Sequence, residues 1–164
     1  NTGDIDLYKF TFDMSTTTAR VTNVELLDVT ESTEVQLYTS ATSAYKTGWF
    51  AALFDTNADG TGQGGEARTV SVSVPRTFLL RGTVTGAASG ASVSTRLGGD
   101  LALIGEVQTT IMATASGVDA DAQEDFIWSD RSVSAHATTT ADWVNGYLVS
   151  GLGSASTTPT VVAL

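Results

Sequence analysis

The segment at 55–66, DTNADGTGQGGE, has the residue types and the spacing of a calcium-binding loop. Oxygen-bearing side chains occupy its first, third and fifth positions, a glycine follows at the sixth, and a glutamate ends the twelve-residue frame. A flexible turn would also use Asn, Asp and Gly, but it needs no carboxylate six residues after the glycine. The predicted calcium donors are Asp55, Asn57, Asp59, the carbonyl group of Thr61, a water-bridged Gln63 and both carboxylate oxygens of Glu66.

The residues on either side of this loop indicate that it connects strands. At 68–74, valines alternate with threonine and serine at the two-residue period of a strand. The apolar run at 49–54 is too short for its period to distinguish a helix from a buried strand. In its residues the loop resembles the calcium loops of EF-hands and dockerins, but it differs from both because a strand, and not a helix, follows. We therefore predict a calcium ion that stabilises an inter-strand connection.

A second group of acidic residues lies at 118–125, directly before an apolar run at 126–128. Its carboxylates could converge on a second calcium ion, with Asp119, Asp121, Glu124 and Asp125 as the ligands. Their spacing follows no fixed pattern, so a solvated acidic turn or a helix N-terminus fits the same residues. The only histidine, His136, follows in a Thr-rich stretch and is expected to be solvated.

The chain offers few residues for catalysis. It has no cysteine and one histidine, which excludes the usual zinc ligand sets. No Gly-x-Ser-x-Gly turn between a strand and a helix accompanies that histidine, as a serine hydrolase of this type would require. A glycosidase needs two carboxylates across a cleft, and an abundance of acids does not place them there. We predict that the protein is not an enzyme.

Composition and charge favour a protein that works outside the cell. Eighteen acidic and eight basic residues give the 164-residue chain a net charge of −10, which disfavours nucleic acid and anionic membranes as partners. No apolar run approaches the about 18 residues of a membrane-spanning helix, so membrane insertion is not expected. Few lysines, abundant Ser, Thr, Gly and Ala, a calcium loop of modest affinity and a first residue other than Met indicate a secreted, extracellular or cell-surface protein.

Strand signals recur along the chain. The first, at 6–14, places large side chains on one face, namely Tyr8, Phe10, Phe12 and Met14, and turns Lys9 to the other face. Further strands are predicted at 20–29, 34–39, 68–74, 77–85, 92–97, 107–115 and 158–164. This spacing, without a convincing helix, predicts an all-β fold, an antiparallel β-sandwich that is immunoglobulin-like in the broad sense. We expect one domain over 1–164, with 118–164 as a C-terminal appendage of it.

Several segments resemble secreted surface-protein domains of candidate-phylum bacteria of the Parcubacteria type. They are GDIDLYKFTFD at 3–13, FLLRGTVTG at 78–86, SVSTRLGGD at 92–100, DFIWSD at 125–130 and DWVNGYLVSGL at 142–152. The resemblance covers most of the chain. It implies a surface location and a β-rich module, and it transfers no binding or catalytic residue.

These observations lead to a functional expectation. We predict a structural subunit that self-associates into a filament or surface layer, with 1–14 as a candidate donor strand and its four large side chains as anchors. The alternative is an adhesive or carbohydrate-binding module. Its aromatic side chains at 128, 143 and 147 would form either core and interface contacts or a platform for a glycan. A third expectation concerns Lys9, which would face outward unless it is cross-linked to an asparagine near an acid.

Overall fold

The computed structural model describes residues 3–30, 34–39, 45–56, 66–102, 112, 124–152 and 157–164. These segments contain ten strands: β1 (Ile5–Thr17), β2 (Arg20–Asp28), β3 (Val35–Thr39), β4 (Gly48–Leu53), β5 (Arg68–Val70), β6 (Phe78–Thr85), β7 (Ser92–Leu97), β8 (Phe126–Ser129), β9 (Trp143–Asn145) and β10 (Thr160–Ala163). The strands form two antiparallel sheets, so the predicted all-β class is confirmed and the arrangement is consistent with a β-sandwich. In the described part of the chain, no helix has the length and hydrophobicity needed to cross a membrane.

The strand β1 is the centre of the larger sheet. Along one edge it pairs with β5 and then with β4, and along the other edge it pairs with β8 and then with β7. β9 pairs with β8, and β10 pairs with β7. The smaller sheet has the order β3-β2-β6. Because β1 has partners on both edges, it is an interior strand within this chain.

One face of β1 packs into the main core between the two sheets. Phe10 is its centre, with ring centroids 5.0 Å from Phe54, 5.5 Å from Phe78 and 4.9 Å from Phe126. Leucines and valines of β2 and β3 complete this core from the smaller sheet. The phenylalanines therefore join β1 and β8 of the larger sheet, the residue after β4, and β6 of the smaller sheet in one buried cluster.

A bulge changes which residues of β1 face this core. The pairing of β1 with β8 shifts in register between Leu7 and Lys9, and a β-bulge places two successive residues on one face. Leu7 consequently enters the main core, whereas Tyr8 packs in a second cluster on the outer face, against Ile127 and Trp143. The predicted strict alternation of Tyr8 with Phe10 is wrong here, and so is the outward position of Lys9, which is fully buried.

The predicted strand at 68–74 ends early. β5 stops at Val70, and the following residues form a tight turn in which the Val74 N–H donates to the Ser71 carbonyl (3.0 Å). The Asp4 carboxylate holds this turn, accepting hydrogen bonds from the Ser71 hydroxyl (2.9 Å) and the Val72 N–H (3.1 Å). A side-chain acceptor thus competes with the sheet ladder for these donors, and Val72 is 74% exposed.

The remaining predicted elements agree with the structure where it describes them. The segments predicted at 20–29, 34–39, 77–85, 92–97 and 158–164 correspond to β2, β3, β6, β7 and β10. The ambiguous run at 49–54 is a strand, β4. The strand predicted at 107–115 lies outside the described residues.

Candidate functional sites

The predicted calcium loop connects β4 to β5, so its inter-strand position is as expected. Its two ends meet in the structure, because the Thr56 N–H and the Thr56 hydroxyl both donate to the Glu66 carboxylate. The Asp55 N–H donates to the Leu37 carbonyl (2.7 Å), which fixes the first position of the loop on β3. The last predicted donor, Glu66, is thereby held against the residue that follows the first predicted donor, Asp55.

The other predicted calcium donors lie outside the described residues. They are Asn57, Asp59, Thr61 and Gln63 of the first site and Asp119 and Asp121 of the second. Within the described segments, no group of three or more His, Cys, Asp or Glu side chains could hold a metal ion. Calcium binding therefore stays a prediction at both places.

The two described members of the second acidic group turn into the protein. Asp125 is buried, and its charge interacts with those of Lys9, Asp100 and Glu124. The Glu124 carboxylate accepts a hydrogen bond from the Asn145 side chain (2.5 Å). Asp100, Glu124 and Asp125 therefore interact electrostatically with the buried Lys9 of β1, and we call these four residues the buried charge cluster.

Asp100 is the acid of this cluster that binds backbone N–H groups, and little in the sequence indicates this role. One carboxylate oxygen accepts from the Asp125 N–H (2.6 Å), and the other accepts from the N–H groups of Phe126 (3.0 Å) and Gly146 (2.8 Å). Asp100 follows β7, and its donors are the residue before β8, the first residue of β8 and the residue after β9, so one side chain links the ends of three strands. The available signal was the Gly98–Gly99 pair that precedes it, which allows close backbone approach.

His136 is not solvated, contrary to expectation. Its side chain is 9% exposed and packs on Trp143 at a ring-centroid distance of 5.1 Å. Nδ1 lies 2.8 Å from Asp142 Oδ2 and Nε2 lies 3.0 Å from Asp6 Oδ2, the latter without hydrogen-bond geometry. Burial alone would raise the pKa of Asp142, but hydrogen bonds from Thr140, Val133 and His136 hold that pKa at about 2. The second nitrogen faces the Asp6 carboxylate and not a hydroxyl nucleophile, so this network does not have the arrangement of a catalytic triad.

The four predicted self-association anchors are all covered by the chain itself. Phe10, Phe12 and Met14 are buried in the main core, and Tyr8 is buried in the outer cluster, edge-on to Trp143. A role for these side chains in self-association would require β1 to be exchanged between copies. No observation here tests such an exchange, and it stays a prediction.

Two exposed apolar features lie elsewhere on the molecule. The first is β10, where Val161 is 63% and Val162 55% exposed. The second is a groove of about 380 Å³ lined by apolar and aromatic side chains, namely Ile5, Phe126, Trp128, Tyr147, Leu148 and Val149. Tyr147 is 44% exposed at this groove, whereas Trp143 belongs to the core.

Comparison of the chain with protein-family models, with curated proteins and with solved structures gives no match.

Proposed function

We propose that the chain is an extracellular structural subunit that self-associates through a terminal strand and is stabilised by calcium. The supporting observation is the state of β10. This strand is hydrogen-bonded only to β7 within the described segments, and all four of its residues are exposed. An edge strand with apolar side chains on both faces can add to the sheet of a second copy, with backbone hydrogen bonds supplying affinity.

The register of β10 against β7 determines which N–H groups of β10 point away from β7. The Leu164 N–H donates to the Ala91 carbonyl (3.0 Å), next to the pairing of Ala163 with Ser92. In an antiparallel ladder, alternate residues point their N–H groups at the same neighbour. The N–H groups of Thr160 and Val162 therefore face β7, and those of Val161 and Ala163 face away from it.

Val161→Pro is expected to abolish self-association without unfolding the subunit. Proline removes an outward N–H and is tolerated on a sheet edge, because it leaves the ladder with β7 intact. Size-exclusion chromatography with light scattering and electron microscopy would measure the assembly. The matched control is Val161→Thr, which keeps the N–H and the β-branched shape and should still assemble.

Two results would contradict this proposal. Wild-type protein that is monomeric at all concentrations would exclude self-association, and assembly that persists in Val161→Pro would exclude β10 as the connector. Assembly that persists in that variant but depends on exchange of β1 would restore the N-terminal strand as the donor. Deletion of residues 1–14 would then give a subunit that folds only when the matching peptide is added.

A second function is supported by the groove beside Tyr147. The exposed tyrosine ring and the half-buried Trp128 border an apolar depression, and aromatic faces of this kind can bind a glycan or an apolar side chain of a partner. An adhesive or carbohydrate-binding module is therefore the alternative. A glycan array in which binding survives Val161→Pro and is lost in Tyr147→Ala would favour it over the structural function.

Calcium removal is expected to lower the thermal stability of the subunit. A ligand that binds only the folded state contributes about 2.7 kcal/mol at 100 times its Kd, which corresponds to a Tm change of about 5–10 °C for a domain of this size. Asp59→Ala should lower Tm to the value seen with excess chelator, and Glu66→Gln should lower it less. Differential scanning calorimetry with calcium and with chelator gives the measurement.

The control for this prediction is Asp119→Ala, which changes the second acidic group only. If the loop at 55–66 is the site, this variant keeps the full response to chelator. Identical melting curves with calcium and with chelator would show that the loop does not bind calcium under those conditions.

A further inference from the structure

Lys9 is buried on the face of the sheet that also carries Asp125. In the ladder between β1 and β8, Lys9 is opposite Ile127 and Phe10 is opposite Phe126. Asp125 is two residues from the partner of Lys9, so the two residues are diagonal neighbours on one face of the sheet. Diagonal neighbours are about 7–8 Å apart between Cα atoms, within reach of a long side chain. The Lys9 side chain has 0% exposure, so it is enclosed in the protein on the face of the sheet that it shares with Asp125.

The other two acids of the buried charge cluster are engaged elsewhere. Asp100 accepts three backbone N–H groups, and Glu124 accepts the side-chain amide of Asn145. Asp125 lies against the backbone of Gly98, where an added Cβ would be 2.6 Å from its Oδ2. A glycine is therefore needed to leave room for this carboxyl, and of the three acids Asp125 has the strongest charge interaction with Lys9.

We propose that the Lys9 amine and the Asp125 carboxyl condense into an intramolecular amide that joins β1 to the residue before β8. The Nζ lone pair attacks Cγ of Asp125, the Cγ–N bond forms, and the bond from Cγ to the hydroxyl oxygen breaks. One amine proton and the hydroxyl group leave together as water. The reaction exchanges an amine and a carboxylic acid for an amide and water, so it requires no oxidant, reductant or cofactor.

The electrostatics of the cluster favour the reactive forms of both groups. Burial lowers the pKa of Lys9, against the opposing effect of the three acids, and so favours the neutral, nucleophilic amine. Burial and the neighbouring Asp100 raise the pKa of Asp125 to about 7, although the charge of Lys9 opposes this. A protonated carboxyl can release its hydroxyl oxygen as water, whereas a carboxylate cannot.

In this proposal Glu124 carries the proton between the two groups. Its charge interacts with those of both Lys9 and Asp125, and the hydrogen bond from Asn145 fixes its carboxylate. A carboxylate in this position can accept the amine proton and return it to the departing hydroxyl. Lys9 is 0% and Asp125 4% exposed, and this burial limits access of the water that would reverse the reaction.

The cross-link has a physical consequence for the fold. A buried lysine and a buried carboxyl cost free energy when they are charged, and an amide removes both charges. The bond would also close a loop from residue 9 to residue 125 in a chain that has no cysteine and therefore no disulfide. This inference concerns the single chain, so it does not depend on self-association.

The wild-type protein is sufficient for the first test. Its intact mass under denaturing conditions is expected to be lower than the sequence mass by one water molecule, with peptides containing Lys9 and Asp125 recovered as one linked species in tandem mass spectrometry. The chain has two lysines, Lys9 and Lys46. Exhaustive acetylation of the denatured protein should therefore modify the Lys46 amine and leave that of Lys9 unmodified.

Variants identify the acyl partner and the proton carrier. Asp125→Asn can form the same amide with loss of ammonia, so its final mass should equal that of the cross-linked wild type. Glu124→Gln should keep the strand content and accumulate uncross-linked chain, and Lys46→Arg should cross-link fully. A wild-type mass equal to the sequence mass, or acetylation of Lys9, would overturn the proposal. A link from Lys9 to Asn145, Asp100 or Glu124 would overturn the assignment to Asp125.

Discussion

Phe10→Ala is expected to lower the free energy of unfolding by about 3–5 kcal/mol, the range for loss of a large aromatic side chain from a packed core. The Phe10 ring contacts Phe54, Phe78 and Phe126, so its removal leaves a cavity that neighbours from several elements border. Chemical denaturation followed by tryptophan fluorescence would give the free energy. An aromatic cluster of this kind cannot collapse fully, because its members are fixed by separate strands.

The control for this prediction is Leu101→Ala, which removes a side chain that is 73% exposed. Its free energy of unfolding should stay within about 0.5 kcal/mol of the wild type. The same experiment distinguishes an intramolecular β1 from an exchanged one. If β1 packs within its own chain, the denaturation midpoint is independent of protein concentration, whereas exchange between copies makes it rise with concentration.

The alternation of side chains was enough to predict most strands. In β2 and β6, apolar residues recur at the period of two that a half-buried strand requires, and the structure has both strands within two residues of the expected limits. The order of strands in the sheet could not be obtained this way. β1 pairs with strands from 48–53, 68–70, 92–97 and 126–129, and such distant pairings depend on complementary faces and not on local sequence.

The buried charge cluster illustrates a second limit. Lysine is among the residues least often fully buried, and the apparent period of 6–14 turned Lys9 outward. The bulge between Leu7 and Lys9 leaves no signature in the sequence, because it arises from the pairing with β8. Once β8 is placed, the acidic residues before Phe126 have a buried partner on β1, and their interpretation as a solvated turn no longer holds for Asp125.

The predicted calcium loop at 55–66 differs from the buried charge cluster, because its residues are close together in the sequence. Its ligands follow a fixed spacing within twelve residues, so the candidate site could be written down without any knowledge of the fold. The structure adds that Thr56 and Glu66 close the loop and that the Asp55 backbone is bonded to β3. A candidate site of this kind can therefore be recognised from sequence because its predicted ligands are close together, and calcium binding by it stays a prediction.

The largest polar contribution to stability is expected from Asp100. Replacing it with alanine removes the acceptor of three buried backbone N–H groups, those of Asp125, Phe126 and Gly146. An unsatisfied buried donor costs about 1–3 kcal/mol, so Asp100→Ala should lower the free energy of unfolding by about 3–5 kcal/mol after partial relaxation. Chemical denaturation measures this loss, and hydrogen exchange should show faster exchange at the three amides.

The N–H donors around Asp100 make the loss of stability depend on its two carboxylate oxygens and not only on the shape of the side chain. Asp100→Asn keeps one oxygen acceptor and replaces the other by a donor that faces an N–H, so its loss of stability should approach that of Asp100→Ala despite the similar shape. Asp130→Ala is the matched control, because its carboxylate accepts one backbone N–H, that of Ser132 (3.0 Å), in an exposed position. That variant should lose less than about 1 kcal/mol. Equal losses at Asp100 and Asp130 would show that the three buried donors find other acceptors, and that Asp100 does not hold β7, β8 and the residue after β9 together.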